Sequence, residues 1–119
     1  MTAGIHNFTI DQGSDKNKKL TFYTDATQTI TVDLSAVSEM RMQMRRTKQS
    51  INHIDELTDS NGRIDTTDAA TGVIILQFAA SISSAYDFDT CYYDLEFVTG
   101  SVVERIIEGV ITLDLEVTR

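Results

Sequence analysis

The chain closes on CYYDLEFVTGSVVERIIEGVITLDLEVTR, residues 91–119, and the spacing of its apolar residues decides the fold. Odd positions read Cys91, Tyr93, Leu95 and Phe97, while Asp94 and Glu96 fall on even ones. An alternation of period two sends successive side chains to opposite faces, the mark of a half-buried β-strand. Thr99-Gly100-Ser101 is a short turn-forming run, and beyond it Val103, Ile107, Ile111, Leu113 and Val117 alternate with Glu104, Glu108, Thr112, Asp114 and Glu116. Two such strands joined by a turn make a hairpin. Arg105 breaks the inner row, and Val102, Ile106 and Val110 break the outer one, so a bend is expected, with Gly109 as the candidate bulge.

The same period runs upstream. His6, Phe8 and Ile10 alternate with Asn7 and Thr9; Leu20 and Phe22 flank Thr21; Ile30, Val32 and Leu34 alternate with Thr31 and Asp33. Met40, Met42 and Met44 alternate with Arg41, Gln43 and Arg45, a pattern that a strand sorts between its faces and a helix would smear. Ile54–Leu57, Gly62–Thr66 and Val73–Phe78 complete the set. Between the first two, Ser60-Asn61-Gly62-Arg63 carries the Asn-Gly dipeptide that favours a tight hairpin turn. Only AASISSA, Ala79 to Ala85, suits a short helix or turn. The expectation is an all-β, immunoglobulin-like antiparallel β-sandwich of about 8 strands, with a small β-barrel as the alternative. The absence of Trp and the single Cys remove the disulfide-and-tryptophan core of antibody domains.

Size and charge bound the function. A chain of 119 residues, 41% apolar, makes one domain over 1–119 and buries roughly 65% of its unfolded surface without disulfide or metal staples. With one cysteine and no charged-then-apolar leader before the first strand pattern, synthesis in a reducing cytoplasm is expected. No apolar run approaches the ~20 residues a membrane-crossing helix needs. A net charge of −8 opposes binding to phosphate backbones, which depends on clustered Lys and Arg.

Each candidate for chemistry meets a plainer reading. Asp94 and Glu96, like Asp114 and Glu116, are spaced i, i+2 and share a strand face, as acid/base catalysis or a metal would require; the alternation itself favours a solvated outer face, and no nucleophile or base accompanies them. Leu57 to Asp68, LTDSNGRIDTTD, partly imitates a calcium loop through Asp59, Asn61, Gly62, Ile64 and Asp68, but Leu57 stands at the first ligand position and no helices flank it. His6 and His53 are far from each other and from Cys91, without metal-ligand spacing, and Cys91 opens the inward row of a strand. No cofactor is expected. Arg41, Arg45, Arg46 and Lys48, with Lys16, Lys18 and Lys19, form the basic features; lacking interleaved aromatics, they suit a protein interface better than nucleic acid. Tyr86-Asp87-Phe88-Asp89 lies between strands and is the best candidate for an exposed aromatic surface. Together with Tyr23, Tyr92 and Tyr93 it keeps a carbohydrate-binding β module open. The candidate interface residues are therefore Arg41, Arg45, Arg46, Tyr86 and Phe88.

Taken in order, FTIDQG (8–13), VDLSAVSEMRMQMR (32–45), NGRI (61–64), TGVIILQF (71–78), YYDLEF (92–97), ERIIEG (104–109) and the terminal EVTR resemble a set of small virion structural proteins of tailed bacteriophages. These are related in pattern to the immunoglobulin-like N-terminal module of phage upper baseplate proteins. The resemblance spans nearly the whole chain. It departs at Ser35-Ala36-Val37, where Thr-Gly-Tyr is common, and at Ile51 to Asp55, which is more polar. It implies a non-enzymatic accessory or adaptor subunit of the tail, neck or baseplate, assembled in the host cytoplasm in multiple copies against other virion proteins. A capsid decoration (cement) protein is the alternative within that class.

Overall fold

The computed structural model describes residues 4–24, 27 and 30–117; Thr118 and Arg119 of the EVTR motif lie outside the described residues. The fold is an all-β sandwich. Its strands are β1 (Gly4–Ile5), β2 (Phe8–Asp11), β3 (Lys16–Thr21), β4 (Glu39–Arg45), β5 (Asp55–Thr58), β6 (Ile64–Asp65), β7 (Val73–Phe78), β8 (Thr90–Thr99) and β9 (Val102–Asp114). One short helix, α1 (Ala80–Ser83), occupies the AASISSA segment. The larger sheet has the order β1-β9-β8-β4-β5, with β2 also paired to β9; the smaller is β3-β7-β6. β1 and β2 run parallel to β9, so the larger sheet is mixed rather than purely antiparallel.

Alternation predicted the inner rows well. Met40, Met42 and Met44 of β4, and Cys91, Tyr93, Leu95 and Phe97 of β8, are all buried. They meet Ile74, Leu76 and Phe78 of β7 in one core with Ile10, Leu57, Ile111 and Leu113. Methionine suits this mixed neighbourhood because its unbranched chain fits irregular gaps.

Three expectations are corrected. Asn61-Gly62 does not close a hairpin: β5 belongs to the large sheet and β6 to the small one, so the turn is a corner between sheets. The Asn61 side chain holds it, accepting from the Thr58 and Arg63 amides at 3.0 Å each and donating to the Glu56 carbonyl. Residues 30–34 form no strand. They make one bridge, Tyr23 to Thr31, and then leave the small sheet as Leu34 N–H donates to the Ala69 carbonyl at 2.9 Å.

The irregularity in the last strand is at Ile106, not Gly109. Leu95 pairs with Ile107 and Glu96 with Arg105, leaving Ile106 as the extra residue of a bulge. The bulge reverses the parity of β9, which puts Arg105 on the outer face while Ile111 and Leu113 remain buried. Gly109 has a different task. A Cβ there would lie 2.1 Å from the His6 carbonyl oxygen, because the chain between β1 and β2 runs directly against it.

Replacing Gly109 by Ala is expected to destabilise the domain by about 2–3 kcal/mol, as the N-terminal strands must move off β9. Gly62 has φ of 79° but open space around it, so Gly62→Ala should cost only about 1 kcal/mol. Urea unfolding of the two variants provides the comparison.

Candidate functional site

Outward-facing residues of β4, β5, β8 and β9 line a shallow cleft of about 780 Å³ on the large sheet. Its floor is a lattice of opposite charges. Arg41 Nε meets Glu96 at 2.8 Å, and Gln43 donates to Glu56 at 2.6 Å while accepting from Arg45 at 2.6 Å. Arg105 bridges Asp94 and Glu108 at 3.4 Å each, and Lys48 reaches Glu108 at 3.3 Å. Lys48 also lies 6.0 Å from the ring centre of Tyr92, an exposed aromatic on this face.

The acidic residues of the closing stretch are thus divided. Asp94, Glu96 and Glu108 each have an arginine, so they form a locked polar surface rather than a poised acid/base pair. Burial, then the Glu96 and Glu108 charges, push the Asp94 carboxyl above its ordinary value despite Arg105. A raised carboxyl needs a reacting partner to be catalytic, and the groups facing it are other carboxylates and arginines.

Two of the candidate interface residues, Arg41 and Arg45, stand on this face. Arg45 additionally donates to the Ser50 and Ile51 carbonyls at 3.0 and 2.8 Å, holding the 46–51 loop and presenting Ile51 almost fully to solvent. Arg46, at the margin, pairs with Asp87. Tyr86 and Phe88 do not form an exposed aromatic surface: only 7% and 3% exposed, they pack against each other at a tilt within the core, and Asp87 and Asp89 are the residues of that segment that face outward. Of the aromatics considered for a sugar platform, Tyr93 is also buried, leaving Tyr23 and Tyr92. Gln43 and Arg105 were not singled out as site residues by sequence; for Arg105 the bulge concealed its face.

Tyr86 serves a buried polar knot instead. Asp55 takes a two-pronged bond from Arg63 at 3.0 and 2.9 Å and a third from the Tyr86 hydroxyl. Arg63 also donates to the Gln77 carbonyl and lies over the Phe78 ring. Burial pushes the Asp55 carboxyl up, but the bonds from Arg63 and Tyr86 outweigh it and hold the carboxyl below its ordinary value.

Carboxylates in the 57–68 loop are taken up by nearby backbone and hydroxyl donors. Asp59 accepts from Met40 N–H, and Asp65 accepts from the Thr67 amide and hydroxyl. Among the described residues, no group of three or more His, Cys, Asp or Glu is arranged to hold a metal ion. Burial drives the Cys91 thiol up to about 12, leaving it un-ionised at neutral pH. His6 stacks on Phe8 and its Nε2 is buried without a hydrogen-bond partner. Burial, then the Lys18 charge, lowers its basicity.

No family model matches the chain, and no curated protein matches it.

Arg63→Met is expected to cost about 3 kcal/mol by stranding the Asp55 charge, and Asp55→Asn with Arg63→Met together less than the sum, as a double-mutant cycle in urea will show. The depressed Asp55 carboxyl stabilises the fold above its ordinary value of 3.8, and that contribution disappears as pH falls through and below it. His6 works at higher pH. With its folded value below the ordinary 6.5, its neutral form stabilises the fold above 6.5 and stability declines as pH falls below that point; His6→Phe should flatten the decline between about pH 7 and 5.

Proposed function

We propose that this chain is a non-enzymatic structural subunit of a tailed-bacteriophage virion, an accessory or adaptor in the tail, neck or baseplate that acts through protein contacts. The observation that carries the reading is the ordered set of motifs shared with small phage structural proteins and the places those motifs take in the fold. FTIDQG contains β2, MRMQMR lies in β4, NGRI includes the corner between sheets, and YYDLEF lies in β8. ERIIEG holds both the Ile106 bulge and the Gly109 contact. The quoted motifs thus contain irregular positions of this sandwich as well as its simple alternation.

The charged face supports a contact role. Its ion pairs are half-exposed and mutually satisfied, and Arg45 braces a loop whose tip is the apolar Ile51. An exposed apolar side chain whose loop is braced by an arginine is the chemistry of an interface anchor. Arg41, Arg45 and Arg46 are the contact residues in this reading, with other virion proteins as partners.

Mass spectrometry of purified particles from a host producing this protein should detect it at a constant ratio to the major tail or capsid protein. Its absence from washed particles would overturn the proposal, and a cryo-EM map would separate a tail or baseplate position from capsid decoration.

A further inference from the structure

One side of the sandwich ends in two strands with free edges, β2 in the large sheet and β3 in the small one. They are neighbours: a turn over residues 12–15 joins them, and Lys18 Nζ lies 5.5 Å from the ring centre of Phe8. The chain reverses at that turn, so Asp11 and Lys16 stand at the same end.

Charges on this side are unmatched among the described residues. Asp11 and Asp114 are direct partners in the parallel β2–β9 pair, both exposed on the outer face, and no cation among the described residues comes within ion-pair distance of either. Like charges placed side by side on a sheet repel. Among the described residues Lys16 and Lys19 on β3 likewise have no carboxylate within ion-pair distance, Lys19 pointing outward and Lys16 toward the sandwich interior. Edge lysines deter pairing with neutral or basic strands. An acidic edge is the kind of strand they admit.

We infer that two copies of this chain associate through this side, each β2 lying antiparallel to the partner's β3. A two-fold axis parallel to the strands exchanges the two sheets and preserves strand direction. It therefore sets β2 against a β3 running the opposite way and creates two identical contacts that close on themselves. The outer face of one large sheet then continues into the outer face of the partner's small sheet. Asp11 then faces the partner's β3 on the outer face that carries its Lys19, with Asp114 one strand behind, so the two carboxylates present a negative field to the basic edge strand. The same contact relieves the carboxylate repulsion and satisfies backbone groups on both free edges. The inference is independent of the virion reading: absence from particles would leave it standing.

Sedimentation velocity of the full chain at low ionic strength should show a concentration-dependent dimer that weakens as salt rises from about 0.05 to 0.5 M. Lys16→Glu with Lys19→Glu in one variant, and Asp11→Lys with Asp114→Lys in another, should each weaken self-association about 100-fold or more. Mixing the two variants should produce a heterodimer, because every contact is again between opposite charges, and combining all four changes in one chain should restore the homodimer. Circular dichroism establishes that each variant is folded. A wild-type chain that remains monomeric at low salt, or folded variants that stay monomeric when mixed, would overturn the inference; so would dimerisation unaffected by either reversal.

Discussion

The bond set around Asp55 is the constraint on which the sandwich depends. Asp55 begins β5 of the large sheet, Arg63 immediately precedes β6 of the small one, and Tyr86 belongs to the connection into β8. Both sheets and the connection into β8 thus converge on one carboxylate. Apolar packing alone favours contact between the sheets but is indifferent to a small slide. A two-pronged arginine bond in a low-dielectric setting fixes one relative position, since displacement strands a charge. The arginine is itself positioned by the Gln77 carbonyl and the Phe78 ring, so the knot is continuous with the β7 core row.

The neighbouring corner explains how so short a chain changes sheets. Asn61 satisfies the Thr58 and Arg63 amides at once, allowing the backbone to turn without leaving buried donors unpaired. Arg63 leaves this corner already aimed at Asp55. Local turn chemistry and the inter-sheet ion pair are therefore one device, and the loop's resemblance to a calcium site follows from the same Asp and Asn residues serving as backbone acceptors.

Alternation made most of the core legible: the inner rows of β4, β7, β8 and the second half of β9 follow from period two. The outer charged face was only partly legible. Asp94 and Glu96 were correctly assigned to one face, and Arg41 and Arg45 to another strand's outer row, but their pairing requires the β4–β8 register. Arg105 was inaccessible to pattern reading because a single bulged residue inverts the face of everything before it. Tyr86 and Phe88 were misread for a related reason: an aromatic between strands resembles an exposed loop residue until the connection is seen to fold back over the core.

By itself, the sequence determined the all-β class, the alternating core rows and the terminal hairpin, because those depend on side-chain period and local turns. Only the tertiary structure decided that Asn61-Gly62 joins two sheets, that Ile106 is the bulge, that β1 and β2 run parallel to β9, and that Asp55, Arg63 and Tyr86 meet. Each of these is a relation between separate strands or connections, set by packing and by the need to satisfy polar groups, and no side-chain period encodes it.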